Sequence, residues 1–281
     1  MVVPLGSDPV PGGIQQKANS QPVTVMNTTP TAFRNEPLPP WVVEHYPVLT
    51  TTQSFARTRP AWSVVTADEQ TAGRGQRERV FISDQGGLYL TAVLPFDGDS
   101  AGWRGFALAV GCAVRHALTK GGVEDLRLRW PNDLMIGSRK VGGILVEQGL
   151  PHTLLVGIGL NVTNRPWLTF PGLRKVAGRL ADHCPYPLGE PRQLLEPVLR
   201  AIQRAHEDFF ARRLAGLAAE INGCWGERRR VSLEPVAGTS PRETEGVFAG
   251  IDERGQVLLA QPDGSICGVP EHHIKRMVEV E

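Results

Sequence analysis

Residues 139–147 read Arg-Lys-Val-Gly-Gly-Ile-Leu-Val-Glu, and residues 157–161 read Gly-Ile-Gly-Leu-Asn. Apolar residues dominate both runs, which predicts consecutive strands over Val141–Gln148 and Thr153–Leu160. Glycines inside a strand mark a bulge or leave room for a ligand against the backbone. Lys140, at the start of the first strand, either solubilises an edge or lies where two anions meet. These strands therefore predict part of a sheet and a candidate site on it.

Further strand patterns precede this pair. Trp62–Glu69 and Gly87–Leu94 are rich in β-branched, aromatic and leucine residues, as buried strands are. Leu126–Trp130 is a shorter strand pattern that runs directly into Pro-Asn-Asp at 131–133.

Two stretches have the residue spacing of helices. Apolar residues recur at helical intervals across 106–118, and the pair Gly121-Gly122 follows as a predicted stop. A second apolar stripe runs from Leu194 to Phe209, where Pro197 is predicted to kink the helix.

The two ends of the chain differ from this ordered middle. Residues 1–40 are interrupted by prolines and filled with small and polar residues, which predicts a disordered leader. After Arg230, short strand patterns alternate with turn sequences, which predicts a small β-barrel. We therefore expect a leader over 1–40, a main domain over 41–228 and a barrel over 229–281. The predicted barrel strands are Val231–Leu233, Gly246–Ile251, Gln256–Gln261 and Ser265–Val269.

Composition narrows the functional classes. The 281 residues include 30 basic and 29 acidic side chains, and this balance disfavours a general nucleic-acid binder. The four cysteines are far apart and form no Cys-x-x-Cys pair, which argues against a zinc site and against a disulfide framework. No apolar run is long enough to span a membrane, and the first residues make a poor signal peptide. We expect a cytoplasmic protein without a membrane partner.

Residues 73–79, Gly-Arg-Gly-Gln-Arg-Glu-Arg, concentrate arginine and glycine between two predicted strands. Glycine lets a ligand approach the main chain closely, and the guanidinium fork suits carboxylate and phosphate groups. Two interpretations stay open: a loop that closes over an anion, or a solvated basic hairpin.

Residues 130–133, Trp-Pro-Asn-Asp, are the second candidate motif. The proline fixes a turn, and the next two residues offer an amide and a carboxylate at the end of a strand. Taken alone, this run is also compatible with a simple Asx turn.

Together, the order and spacing of these motifs resemble the biotin–protein ligase family from about Pro47 to Met277. The run Gly-Ile-Asp-Glu-Arg-Gly at 250–255 resembles the start of that family's small C-terminal barrel. The leader contains no counterpart of the DNA-binding domain of repressor-type members, so a stand-alone ligase without a DNA partner is the expectation. The other matching runs are Thr51-Thr52-Gln53, 69–75, 129–133, 139–147 and 157–161.

The resemblance implies an α+β fold: a mixed β-sheet with helices, followed by a small SH3-like β-barrel. It implies an enzyme that activates biotin with ATP and Mg²⁺ to biotinyl-5′-AMP. The biotin then passes to a lysine of a biotin carboxyl carrier protein, as in acetyl-CoA carboxylase. No tightly bound prosthetic group is expected.

The resemblance also implies roles for individual residues. Lys140 and Arg74 would be catalytic, because they lie where the biotin carboxylate meets the α-phosphate. The implied biotin-binding residues are Thr51, Thr52, Gln53, Gln70, Arg74, Gly75, Gln76, Lys140, Gly143, Gly157 and Gly159. The implied nucleotide-binding residues are Arg77, Arg79, Phe81, Asn132 and Asn161. The metal ligands are not identified, and Asp133 is the candidate for holding the metal-bound triphosphate.

Two positions depart from the family pattern. Gln76 stands where a basic residue is usual, so either Arg77 compensates for the missing charge or the adenylate is held less tightly. Arg129 stands where lysine is usual, which keeps the charge and changes its geometry.

Two other functions compete with this interpretation. A lipoate or octanoate ligase shares the acyl chemistry, although the Gly-Arg-Gly loop, the Trp-Pro-Asn-Asp run and the barrel favour biotin. A biotin-sensing protein that has lost turnover is the alternative from a different class, and Gln76 is the residue that favours it.

Overall fold

The computed structural model describes residues 41–99, 101–239, 241 and 243–280. The predicted leader over 1–40 lies outside these residues. The described residues form a seven-stranded sheet, a five-stranded sheet and four α-helices.

The larger sheet has the strand order β1-β2-β3-β7-β6-β5-β4. Its strands are β1 (Val42–Leu49), β2 (Ser63–Gln70), β3 (Gly87–Pro95), β4 (Leu126–Arg129), β5 (Asp133–Ile136), β6 (Arg139–Gln148) and β7 (Thr153–Asn161). β1 and β2 are parallel, whereas every other neighbouring pair is antiparallel. The predicted mixed sheet is therefore confirmed. Strands β1 and β5 were not predicted from the sequence.

The four helices are α1 (Thr52–Ala56), α2 (Phe106–Lys120), α3 (Pro166–Thr169) and α4 (Leu195–Asn222). α2 and α4 pack together and bury their apolar stripes in the main core, on one face of the larger sheet. The predicted stop at Gly121 is observed, because its backbone N–H donates to the carbonyl of Ala117 at the end of α2.

The predicted kink at Pro197 is wrong. Pro197 lies in the first turn of α4, where a missing backbone N–H leaves no helical hydrogen bond unmade. The helix is interrupted instead at Arg213, whose φ of 58° lies outside the helical region. Apolar periodicity alone did not reveal that break.

The two faces of the larger sheet are covered differently. On one face, Leu90 and Leu94 of β3 belong to the core beneath α2 and α4. On the other face, Val93 packs in a smaller cluster with Val65 and Ala56, the last residue of α1. Strand residues two apart share a face, so Thr91 lies on the α1 side with Val93. This second face carries the candidate site.

The smaller sheet is antiparallel, with the order β11-β10-β9-β8-β12. Its strands are β8 (Arg230–Pro235), β9 (Glu245–Ile251), β10 (Val257–Ala260), β11 (Ile266–Val269) and β12 (Ile274–Glu279). This arrangement fits the predicted SH3-like unit, although the last strand had not been marked from the sequence. The boundary at residue 229 stays a prediction.

An ion pair connects the smaller sheet to the larger one. Buried Arg127 of β4 donates to both carboxylate oxygens of Glu279 in β12, at 2.7 and 2.8 Å. Bidentate pairs of this kind fix orientation as well as distance.

Across the described ranges, no helix has the length and apolar character that crossing a bilayer requires.

Candidate active site

A cavity of about 1030 Å³ opens on the α1 side of the larger sheet. Its walls come from α1, the loop between β2 and β3, the adjoining strands β6 and β7, and the last strand of the smaller sheet. Large, mixed polar and apolar cavities are where ligands bind in most proteins. Three sets of polar side chains border it: a neutral set, a charged group around Asp133, and a set of further cations.

The neutral group joins α1 to the sheet through side chains that contain no net charge. The carbonyl oxygen of the Gln70 side chain accepts from the Thr52 backbone N–H at 2.8 Å. The hydroxyl of Thr91 lies 2.9 Å from the Thr52 hydroxyl and 3.0 Å from Oε1 of Gln53. We call Thr52, Gln53, Gln70 and Thr91 the neutral cluster. Its members are bonded to one another, which fixes their orientation before any ligand arrives.

Gly157 makes space for this cluster. A Cβ atom at position 157 would lie 2.6 Å from Oε1 of Gln53, closer than such atoms approach. The other end of the Gln53 amide donates to Glu147 of β6 at 3.2 Å. The glycine of the Gly-Ile-Gly motif therefore accommodates a protein side chain as well as bordering the cavity.

The Gly/Arg-rich loop folds back on itself above the sheet. The Gly75 N–H donates to the Arg79 carbonyl at 2.7 Å, and the Phe81 N–H donates to Gly73 at 2.8 Å. A Cβ at position 73 would lie 2.3 Å from the Phe81 carbonyl oxygen, so only glycine fits there. Arg77 has a φ of 56° and donates to the carbonyl of Ile274 in β12 at 3.2 Å. The loop is therefore attached to the smaller sheet through Arg77.

The charged group centres on Asp133 at the start of β5. Its two carboxylate oxygens each lie 2.6 Å from a cation, Nζ of Lys140 on one side and the Arg129 guanidinium on the other. Burial alone raises the pKa of Asp133, but Lys140 and Arg129 outweigh burial and hold the pKa below its usual value. Asp133 therefore orients two cations in the cavity wall.

Phe81 covers Lys140 from the loop side. The ammonium lies 5.7 Å from the centre of the Phe81 ring, a cation–π distance. A Cβ at position 159 would lie 2.8 Å from that ring, so Gly159 makes room for the aromatic side chain. The β7 glycines thus make room for two side chains of the cavity wall, Gln53 beside Gly157 and Phe81 beside Gly159.

A third part of the cavity wall contains several cationic side chains, contributed by the Gly/Arg-rich loop and by the region of the smaller sheet. Burial is the main cause that lowers the pKa of Arg79, and the neighbouring charges of Arg276 and Arg77 lower it further. The run Arg228-Arg229-Arg230 and Lys275 border the same space. We call this surface the basic wall. Concentrated positive charge of this kind attracts polyphosphate anions.

All but one of the sequence-predicted site residues line this single cavity. The exception is Asn161, which is buried and donates to the Gly178 carbonyl at 3.0 Å while accepting from Asn164 at 3.1 Å. Both ends of its amide are used to hold the chain after β7. Asn161 is therefore a structural residue in this arrangement, and the geometry does not favour its predicted nucleotide contact.

Two residues that hold cavity-lining side chains without lining the cavity themselves, Thr91 and Glu147, were not predicted from the sequence. Thr91 had been treated as an ordinary strand residue, and Glu147 had been quoted without a role. The basic run at 228–230 was visible in the sequence, whereas the approach of β12 to the loop is a long-range contact that no local pattern predicts.

Comparisons with known proteins agree with this geometry. A sequence model of the Biotin/lipoate A/B protein ligase family matches residues 47–161. The Bifunctional ligase/repressor BirA of Escherichia coli (strain K12) is 32% identical over 71% of this chain, a match that spans 62% of that relative. The Biotin--[acetyl-CoA-carboxylase] ligase of Paracoccus denitrificans is 32% identical over 73% of this chain and 85% of its own length. The chain belongs to the biotin–protein ligase family.

The fold of this family member agrees with solved structures. The biotin protein ligase of Aquifex aeolicus, solved in complex with biotin and ATP, superposes with a TM-score of 0.70 at 22% identity. The match covers 85% of this chain and 99% of that one. A likeness at this identity concerns the fold, which includes both the larger and the smaller sheet.

Proposed function

We propose that this biotin–protein ligase family member activates biotin with ATP to biotinyl-5′-AMP and then transfers biotin to a carrier lysine. The carrier is a biotin carboxyl carrier protein, such as that of acetyl-CoA carboxylase. The Paracoccus denitrificans relative is named for that carboxylase, which supports this class of partner. The Aquifex aeolicus relative is solved with biotin and ATP, which supports the two small substrates.

One observation carries the proposal: three side chains of the neutral cluster, Thr52, Gln53 and Gln70, open into the same cavity as the Lys140–Asp133–Arg129 group. A ureido ring is uncharged and offers two N–H donors and one carbonyl acceptor. The hydroxyl and amide groups of the neutral cluster are complementary to it. Biotin's carboxylate, at the far end of the molecule, would then lie toward the cations.

The first step joins two anions, since the biotin carboxylate attacks the α-phosphorus of ATP and pyrophosphate leaves. Like charges within a few ångströms repel strongly in a cavity of low dielectric constant. Lys140 sits in the wall, held by Asp133, and supplies a preorganised positive charge. Arg74 belongs to the loop that borders the same space. We assign both residues to charge neutralisation in this step.

The carboxylates that line the cavity do not form a protein-held Mg²⁺ site. Mg²⁺ requires oxygen ligands in octahedral geometry. Both oxygens of Asp133 are engaged by cations, and Glu279 is paired with Arg127. Burial is the main cause that raises the pKa of Glu271, the third carboxyl group of the cavity wall. We therefore treat Mg²⁺ as part of the substrate, bound to the phosphates of ATP, and assign it no protein ligand.

The second step needs no enzyme nucleophile. The carrier lysine amine attacks the carbonyl of the mixed anhydride, so a new amide bond forms, AMP leaves and one proton is released. The reaction fits a cytoplasmic setting, which the four free cysteines also favour.

The test is incubation of the protein with labelled biotin, Mg·ATP and a carrier domain, with and without excess unlabelled lipoate or octanoate. Label on a single carrier lysine that lipoate does not suppress is the expected result. Transfer of lipoate instead would identify the rival ligase. Tight biotin binding without pyrophosphate release would identify a sensing protein, and either outcome would overturn the proposal.

A further inference from the structure

Helices α2 and α4 bring four potential metal donors together on the face of the sheet opposite the cavity. Cys112 and His116 are four residues apart on α2, and Glu220 and Cys224 are four apart across the end of α4. Residues four apart lie on the same side of a helix. Two such pairs on packed helices therefore converge on one point. None of these residues belongs to the cavity described above.

The donor atoms are close to one another. The sulphurs of Cys112 and Cys224 are 2.9 Å apart, and both side chains are buried. Nε2 of His116 lies 3.8 Å from the Cys224 sulphur, and Nδ1 lies 3.9 Å from the Cys112 sulphur. One ligand atom from each of these three residues falls within 4.8 Å of the others.

We propose that Cys112, His116 and Cys224 bind one Zn²⁺ ion. Two thiolates and an imidazole are the donor set that borderline-soft divalent ions prefer. Zinc bound by three protein ligands keeps a fourth position for water. Each donor comes from a helix that is already in place, so little ordering is required.

The Glu220 carboxylate supports the histidine role. Its Oε1 lies 3.8 Å from Nδ1 of His116. Histidines that bind metal through one ring nitrogen commonly direct the other N–H to a carboxylate, which fixes the ring. The 3.8 Å separation is longer than a hydrogen bond, so Glu220 must move closer to accept from Nδ1. With that movement, we assign Nε2 of His116 to the metal and Glu220 to the positioning of the ring.

A small movement of the sulphurs is required. A tetrahedral ion with Zn–S distances of about 2.3 Å separates its two sulphurs by roughly 3.8 Å. The present separation is 2.9 Å, so the two side chains must rotate apart slightly as their protons leave. His116 and Glu220 are both about half exposed, which provides a path for the ion and for those protons.

The sequence spacing hid this cluster, because Cys112 and Cys224 are distant along the chain. The chain after α4 returns to the sheet, where the Cys224 carbonyl accepts from the Leu128 N–H at 2.8 Å. Only that tertiary path places the second sulphur beside the first. Bound zinc would therefore join α2, α4 and β4 at one point.

The test uses full-length protein, stripped with a chelator and kept reduced with a phosphine, to which Co²⁺ is added as a spectroscopic probe. One equivalent should produce a thiolate-to-cobalt absorption band in the near ultraviolet and tetrahedral bands in the visible, both removed by Zn²⁺. Cys224→Ser should abolish the near-ultraviolet band or reduce it sharply. The matched controls are Cys184→Ser and Cys267→Ser, which should bind like the wild type.

Substitutions at two exposed positions, His116 and Glu220, test the site with little risk of unfolding the protein. His116→Gln should weaken cobalt binding and shift the visible bands while leaving the melting temperature of the metal-free protein unchanged. Glu220→Gln should weaken binding roughly 10–100-fold. No thiolate band in the fully reduced wild type would overturn the proposal, as would equal binding by wild type and Cys224→Ser. Formation of a disulfide between Cys112 and Cys224 in the presence of the reductant would also overturn the proposal.

Discussion

The two ends of the cavity are built from opposite kinds of polar group. At one end, the side chains of the neutral cluster are bonded to one another, and the amide N–H groups of Gln53 and Gln70 also donate to Glu147 and Ser83. At the other end, a single anion, Asp133, is held between two cations beside a wall of arginines. One end therefore presents neutral hydrogen-bonding groups in a fixed orientation, whereas the other end presents net positive charge.

This contrast predicts different responses to substitution. A change in the neutral cluster should propagate through bonded neighbours and appear mainly as weaker biotin binding. A change in the charged group should act on the developing charge of the reaction and appear mainly in the rate. The following experiments test that division, which rests on the proposed function.

The largest effect is expected from Lys140→Ala. Removing one preorganised charge where two anions meet should lower the rate of adenylate formation by about 10²–10³-fold. The apparent affinity for biotin should change much less. Pyrophosphate release measures the rate, and Lys120→Ala, at the exposed end of α2, is the matched control. Near-normal pyrophosphate release from Lys140→Ala would remove Lys140 from the catalytic role.

Gly157→Ala tests the neutral end. Its new methyl group would lie 2.6 Å from Oε1 of Gln53 and must displace that amide. If Gln53 binds the ureido ring, this displacement leaves a buried polar group of biotin without its partner, which costs about 2 kcal/mol of binding free energy, or roughly thirtyfold in affinity. Calorimetric titration with biotin measures the loss. Gly268→Ala in β11 is the control, since its methyl group meets no atom closer than 3.4 Å. Unchanged biotin affinity in Gly157→Ala would show that Gln53 does not contribute to biotin binding.

Thr91→Val is a subtler change at the same end. Valine keeps the shape and removes the hydroxyl that lies between Thr52 and Gln53. Without that hydroxyl, Thr52 and Gln53 are no longer held in one orientation, and the loss of one hydrogen bond to biotin, about 1.4 kcal/mol, should lower biotin affinity roughly tenfold. The rate at saturating biotin should stay close to that of the wild type. Thr119→Val, on the exposed end of α2, controls for the loss of a hydroxyl. A rate loss without a binding loss would contradict the division between the two ends.

Much of the fold was accessible from local pattern. The run Gly87–Leu94 and the stripe over 106–118 became β3 and α2, because burial imposes a period that the sequence must follow. β5 escaped prediction because four residues are too few to show any period. The break in α4 at Arg213 also escaped, since arginine signals no interruption and the break depends on tertiary packing.

The site was harder to predict from the sequence than the fold, because its contacts join residues that are distant along the chain. The family resemblance implied ligand contacts for Gly157, Gly159 and Asn161, three residues of β7. Asn161 lies at the end of the strand, where its amide is used by Gly178 and Asn164. Which partner a polar side chain chooses depends on residues distant in sequence, and no local motif encodes that choice.

The smallest effect is expected from Gln76→Arg, which tests whether the charged end holds the adenylate tightly. Gln76 lines the cavity, whereas Arg77 beside it donates to the Ile274 carbonyl of the smaller sheet. In that position Arg77 serves as an attachment to β12, so it does not replace the missing charge. A charge-assisted hydrogen bond is roughly twice as strong as a neutral one.

An arginine at position 76 should therefore slow release of biotinyl-5′-AMP by about fivefold, for a gain of about 1 kcal/mol. Slower release should also reduce the stray labelling of lysines on a bystander protein, because that labelling requires free adenylate. The measurements are dissociation of preformed adenylate and bystander labelling, with Gln76→Lys to separate charge from fork geometry. Removing the Arg77 attachment by Arg77→Ala should not reverse the gain. If wild type and Gln76→Arg release adenylate equally fast, while Arg77→Ala releases it faster, then Arg77 leaves Ile274 and supplies the charge itself.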